Sequence, residues 1–224
     1  MSKSEPEPRH ESSVEQTISA FSRGEPVLIH DAADREGETD LVYPATAVTP
    51  EAVARLRNDA GGLVCVALSN ELCERFELPF ASEAIDHPLS RDPDVGYDDR
   101  SSFSLTVNHR DTYTGITDAD RSLTIERLGA VSANPDEIDF LEEFHAPGHV
   151  HLLRGAPELL ADREGHTELG LALAEQTAQP QAVVVCEMLD DETGTALTPA
   201  RAQAYARNNG LAYIEGRSLV DRFA

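Results

Sequence analysis

The apolar residues of this chain come in short unbroken runs. Val27 to His30 behind Pro26, Leu41 to Ala45, Leu63 to Leu68, Ala182 to Cys186 and Leu211 to Ile214 are each short for a helix and bounded by turn-forming residues. Runs of that kind read as buried strands. Helix signals stand between them. Thr49-Pro50-Glu51 offers an N-cap, a proline at the first helical position and a favourable first-turn acid, for a helix expected to stop at Gly61-Gly62. Ser12 and Glu15 form a capping box ahead of Val14, Ile18 and Phe21. Thr117 with Asp120 opens a helix to about Leu128, and Thr198-Pro199 opens one that Gly210 closes. Shorter helices are expected at 70–77, 135–142 and the C-terminal end, a longer one at 166–177, and strands at 103–107 and 149–153. Strands and helices interleave without a strict repeat, which implies one α/β-type domain over 12–224 behind a disordered acidic tail at 1–11. Residues 78–102, rich in Pro, Asp and Ser, predict a long loop, and such loops in compact domains are often functional.

Charge narrows the choice of partners. Acidic residues number 41 against 18 basic ones, a formal net charge of −23, while hydrophobic residues make up 40%. The charge therefore belongs on the surface of a packed fold, not on a disordered polyacid. Such a surface repels nucleic-acid phosphates and anionic lipid, which excludes both as expected partners. It reads as a halophilic adaptation to molar salt, where a Debye length of ~3 Å screens self-repulsion, ahead of the plainer reading of an acidic soluble protein. Cys65, Cys73 and Cys186 are odd in number and share no CxxC spacing, so neither a disulfide framework nor a structural zinc site is indicated. The polar N-terminal stretch has no apolar signal region, and no apolar window reaches membrane-spanning length. A cytoplasmic location is expected.

Three places concentrate polar chemistry. In Asp34-Arg-Glu-Gly-Glu-Thr-Asp40, an extended chain would point Glu36, Glu38 and Asp40 to one face, where carboxylates suit Mg²⁺. Arg35 could hold a carboxylate or a phosphate by its planar fork. The same stretch also reads as an exposed acidic turn. In Arg163-Glu164-Gly165-His166-Thr167, free N–H groups at a helix start would bind an anion, with Arg163 and Thr167 adding donors and His166 a metal ligand. Taken alone, the stretch reads better as an ordinary helix start with a surface histidine. The third set is scattered: His149 after Pro147-Gly148, Thr114-Gly115 and Asp120-Arg121 near a helix start, and Glu187 after the Ala182–Cys186 run. A carboxylate ending so apolar a strand is either a proton-transfer group or simply emerges into solvent. No GxSxG, GxGxxG, Walker loop or HExxH is present. Residue reasoning reaches an enzyme with a divalent-metal and phosphate site.

In their order along the chain, DREGETDLVYPA, GGLVCVAL, HRDTYTGITDADRSLTI, APGHVHLLR, REGHTELGLALAEQ and AVVVCEML resemble the 3,4-dihydroxy-2-butanone 4-phosphate synthases of riboflavin biosynthesis. The resemblance spans about residues 26 to 188, and the helix and strand that follow also fit. It implies a compact α+β layered domain with a mixed sheet, working as a homodimer with active sites near the interface. It implies a lyase that converts D-ribulose 5-phosphate to the butanone phosphate and formate, with Mg²⁺ (or Mn²⁺) and no organic cofactor. By the same resemblance, Glu36 and His166 are metal ligands, and His149 and Glu187 are essential for catalysis. Arg35, Glu36, Asp40, the turn Arg163 to Thr167 and Glu187 meet the substrate, with Glu38, Cys65 and Thr114 lining the pocket. Gly37 and Thr39 replace the Asn and Gly usual in the acidic loop, Tyr113 stands where threonine is common, and Ala146 where arginine often precedes Pro-Gly-His. Thr39 calls the loop's usual backbone into question, because threonine tolerates positive φ poorly. No cysteine cluster of the GTP cyclohydrolase II kind follows Cys186, so a single activity is expected. The same parts would also serve another metal-dependent sugar-phosphate isomerase or aldolase, or a non-catalytic sugar-phosphate sensor. Formate release separates these readings.

Overall fold

The computed structural model describes residues 8–31, 37–90 and 100–224, with side chains from Ser13 on; Arg35 and Glu36 lie outside the described residues. In chain order the elements begin α1 (Pro8–Ser22), β1 (Val27–His30), β2 (Thr39–Pro44), α2 (Pro50–Asp59), β3 (Cys65–Leu68), α3 (Asn70–Arg75) and α4 (Ala81–Ala84). They continue β4 (Phe103–His109), α5 (Asp118–Ala133), α6 (Phe140–Glu143), β5 (Phe144–Arg154), α7 (His166–Gln176), β6 (Ala182–Val185), α8 (Pro199–Asn209), β7 (Ala212–Glu215) and α9 (Gly216–Phe223). The seven strands form one sheet in the order β4-β5-β3-β6-β2-β1-β7. It is mixed: β3 runs parallel to β5 and β1 to β7, and the other neighbours are antiparallel.

The apolar runs are unbroken because both sheet faces are covered. Leu28, Leu41, Tyr43, Val66, Leu68 and Val184 pack on one face with Val53 and Leu56 of α2, Ile125 and Leu128 of α5 and Ala202 of α8. Val27, Ile29, Val42, Cys65, Ala67, Val183 and Val185 pack on the other with Phe21 of α1, Leu169, Leu171 and Leu173 of α7 and Leu219 of α9. Successive strand residues thus serve two cores in alternation, giving a layered α+β domain. Among the described residues no helix is long and apolar enough to cross a membrane.

Several boundaries differ from the expectation. Helix α1 starts at Pro8, so Ser12 lies inside it instead of capping it. Proline needs no N–H partner in a first helical turn. Residues 1–7 of the expected tail fall outside the described set, and 8–11 are helical. Helix α2 is capped as read, Thr49 Oγ1 accepting from the Ala52 N–H at 3.3 Å, but it ends at Asp59. The 78–102 segment contains α4 and a 3-10 turn at Pro88–Ser90, with 91–99 outside the described residues. Strand β5 begins five residues before the expected 149. Pro147-Gly148 reads as a loop, yet it sits at an irregularity where the β4–β5 register shifts between Val107 and Asn108. A Cβ on Gly148 would come within 2.0 Å of the Val107 carbonyl carbon, so only glycine fits there. In the acidic hairpin, Gly37 takes the left-handed φ of 68°, while Thr39 pairs with His30 as the first residue of β2. The turn therefore keeps a glycine where it needs one, and it interrupts the extended run expected from Glu36 to Asp40.

Candidate active site

Three strand ends and one helix start converge at one end of the sheet. The Leu41 N–H donates to the Cys186 carbonyl at 2.9 Å and the Met188 N–H to the Thr39 carbonyl at 2.8 Å. These bonds seat Asp40 opposite Glu187 in an antiparallel bridge. Asp40 is fully buried, and Glu187 is half-buried. Above them α7 begins, placing His166 Nδ1 3.8 Å from Asp40 Oδ2. One donor atom each from Asp40, His166 and Glu187 lies within 4.8 Å of the others. Two carboxylates and an imidazole this close suit a divalent cation. The β1–β2 hairpin joins the sheet here. Its base is clasped by Asp31, whose Oδ1 accepts from the Glu38 N–H at 2.9 Å while its own N–H donates to the Glu38 carbonyl at 3.0 Å.

One row inward on the same face lies Cys65, opposite Val185. Burial, with smaller effects from Glu187, Cys186 and Asp40, pushes the Cys65 thiol well above its ordinary range, and burial foremost pushes Cys186 up to about 12. Burial thus disfavours the thiolate, the form in which a cysteine acts as a nucleophile, at both positions.

The start of α7 offers donors of the kind an anion needs. Gly165 is its N-cap and offers no side-chain acceptor. Thr167 is fully buried, and its Oγ1 has no hydrogen-bond partner among the described residues. An orphaned hydroxyl beside first-turn N–H groups calls for an acceptor such as phosphate. Arg163 Nη1 donates to Glu168 Oε2 at 2.8 Å, and the Ala156 N–H donates to Oε1 at 3.1 Å. Burial pushes the wholly buried Glu168 carboxyl up, against the opposing pull of Arg163. Glu164 is half-buried in the same turn.

His149 and Thr114 lie further off. His149 precedes by two residues His151, which pairs with Cys65 of β3 opposite Val185, so β3 stands between the strand of His149 and that of Glu187. His149 is exposed, and its N–H donates to Asn108 Oδ1 at 2.8 Å. Thr114 is exposed in a turn whose N–H groups at Thr114 and Gly115 donate to Asp120 at 3.2 and 2.9 Å. These bonds outweigh burial and hold the Asp120 carboxyl below its usual range. Sequence pattern passes over Asn108 and marks Glu168 only as part of the α7 start, with no role. Only the placement of an amide just past the Phe103–Val107 alternation signalled Asn108.

A family model for 3,4-dihydroxy-2-butanone 4-phosphate synthase matches residues 15–222. The chain belongs to this family. A synthase from Archaeoglobus fulgidus is 48% identical over 93% of this chain and 93% of its own length, and one from Methanosarcina mazei is 43% identical over 94% and 90%. A crystal structure of the Candida albicans synthase superposes with a TM-score of 0.78 at 30% identity, covering 94% of this chain and 97% of that one. A synthase structure described as in complex with two magnesium ions gives 0.80 at 28% identity, covering 93% and 95%. Synthases of this family are lyases that make 3,4-dihydroxy-2-butanone 4-phosphate from ribulose 5-phosphate in riboflavin biosynthesis, and the mixed seven-stranded sheet found here is theirs.

Proposed function

We propose that this synthase holds a divalent cation with Glu36 and His166 and binds the substrate phosphate at the start of α7. The observation that carries the reading is the convergence of Asp40, His166 and Glu187 beside the orphaned Thr167 hydroxyl. Mg²⁺ fits the carboxylates, and Mn²⁺ suits the imidazole as well. A cation bound there would neutralise the negative charge that develops next to the carbonyl when the sugar phosphate loses a proton.

The residues divide the remaining work. Thr167, the first-turn N–H groups of α7 and Arg163 hold the phosphate, which fixes the sugar's direction across the strand ends. Arg35, Glu36, Asp40 and Glu164 meet the sugar from the hairpin and the turn. Glu187 moves protons at successive carbons and His149 meets the charge that develops on oxygen, each from the α7 face of the sheet. Glu38, Cys65 and Thr114 line the pocket. No organic cofactor takes part. The enzyme works in the cytoplasm as a homodimer. Tyr113, Ile116 and Leu141 support that reading, being 97%, 51% and 72% exposed on the turn after β4 and on α6, to which Arg110 ties that turn through the Leu141 carbonyl.

Formate release from ribulose 5-phosphate tests the assignment. Glu36→Gln and His166→Ala should each reduce it by at least ~10³-fold without changing thermal melting, while Glu38→Gln should cost ~10-fold or less. Mn²⁺ electron paramagnetic resonance gives a second readout, since the two severe variants should lose the bound-ion spectrum. Retention of tight Mn²⁺ binding by both would overturn the ligand pair.

A further inference from the structure

We infer that Asn108 is a positioning residue for His149, holding the neutral imidazole with its proton on Nε2. The inference rests on the reading of His149 as a group of the reaction. Asn108 lies near the end of β4 and is 5% exposed. Its Oδ1 accepts the His149 backbone N–H at 2.8 Å, and that bond fixes which way the amide faces. The amide nitrogen then stands 3.2 Å from His149 Nδ1. An amide nitrogen can only donate, so Nδ1 accepts across this contact and carries no proton. Oδ1 lies 3.3 Å from Nδ1 and keeps a second lone pair after its 2.8 Å backbone bond, so the assignment rests on the shorter Nδ2 contact and is settled by the tautomer measurement below.

The amide cannot turn away. Gly115 has φ 86° and packs so closely that a Cβ there would fall 2.0 Å from Asn108 Nδ2. The turn carrying Thr114 thus presses on the amide from one side, and the His149 backbone holds it from the other. With Nδ1 occupied, Nε2 on the exposed ring is the working nitrogen, and it meets substrate as an N–H donor. A neutral imidazole in this state polarises a carbonyl or steadies a developing oxyanion; it does not abstract a proton.

Nitrogen-15 NMR of the histidine rings in the intact enzyme tests this directly. Wild-type His149 in its neutral form should show the Nε2–H pattern, and its resonance is assigned by its loss in His149→Ala. Asn108→Asp replaces a donor by an acceptor and should shift the ring to the Nδ1–H pattern. Its kcat for formate release should fall on the order of 10²-fold with KM within about twofold. Asn108→Ala should give a mixture of tautomers and an intermediate rate. A wild-type ring with its proton on Nδ1 would overturn the inference, as would an Asn108→Asp enzyme with unchanged tautomer and kcat. If His149→Ala keeps full turnover, the role given to His149 is wrong and Asn108 loses its part in the reaction, although the tautomer measurement still stands on its own.

Discussion

Glu168 has no exposed surface, and two donors stand where water would be: the Arg163 guanidinium and the Ala156 N–H. The carboxylate pins Arg163, the arginine proposed to hold phosphate, from behind. Arg163→Ala should therefore raise KM for ribulose 5-phosphate roughly tenfold or more while leaving kcat within a few fold. Glu168→Gln, which keeps an acceptor for Ala156 but drops the charge, should move KM in the same direction by a smaller factor. Steady-state formate release decides it: an unchanged KM in Glu168→Gln would mean that Arg163 is placed by other contacts. Glu168→Ala should also lower stability by ~1–3 kcal/mol, because it strands buried donors. Much of this site was legible residue by residue. Asp40, His166 and Glu187 are polar groups where strands end or a helix begins, and each drew attention for that reason. Their meeting was not legible, since it depends on β2 pairing with β6 and on α7 docking over both. Asn108 was hidden for a different cause. A lone amide in a strand reads as its polar face, and nothing local says that a histidine 41 residues on will lean against it.

The β4–β5 end of the sheet is tied by one carboxylate. Glu143 closes α6, and its Oε2 takes a 2.8 Å hydrogen bond from His109 at the end of β4 and another of 2.8 Å from Arg127 Nε of α5. Burial alone would raise the Glu143 pKa, but those two hydrogen bonds outweigh it and hold the group below its ordinary value of 4.5. A lowered folded pKa means that the native state binds its proton less tightly than the unfolded chain does. The stabilisation is thus fully present above 4.5 and is lost as pH falls through the depressed value. Glu143→Gln should cost ~1–3 kcal/mol in urea unfolding at pH 7, and its deficit against wild type should shrink steadily below pH ~4.5. A deficit that is constant from pH 7 to 3 would show that charge plays no part in the knot. Element by element, the strands were readable wherever both faces are apolar, as in β1, β3 and β6, because burial leaves no alternative to an unbroken apolar run. Reading failed at β5, whose first residues pair with β4 alone. There Pro147 and Gly148 serve a register shift that sequence pattern treats as a stop. It failed again at α1, where a capping box inside the helix imitates a start.

The molecule as a whole carries a net charge of −23, and much of its small supply of cations is already committed. Arg23, Arg57, Arg75, Arg127, Arg154, Arg163, Arg201 and Arg217 each pair with an acidic side chain. The surplus acids therefore face water with few opposite charges to offset them. Two consequences have the same sign. Surface carboxylates repel one another across the folded state, and the whole field repels an anionic sugar phosphate before the local attraction of the α7 start and Arg163 can act. Salt weakens both effects, shortening the Debye length from ~10 Å at 0.1 M to ~3 Å at 1 M. The exposed ion pairs lost to the same screening are worth only ~0–1 kcal/mol each, so the balance favours the fold. Raising KCl from 0.1 to 2 M should lift the melting temperature by several degrees and lower KM for ribulose 5-phosphate. KCl is the salt to use, because sulfate would also strengthen apolar burial and confuse the cause. KM should pass through a minimum, since at the highest salt the ions also screen the short-range hold of Arg163 on phosphate. A protein whose melting temperature and turnover are both greatest in dilute buffer would show that its acidic surface is no adaptation to salt. The family assignment would stand regardless, since it rests on the match over residues 15–222 and not on the surface charge.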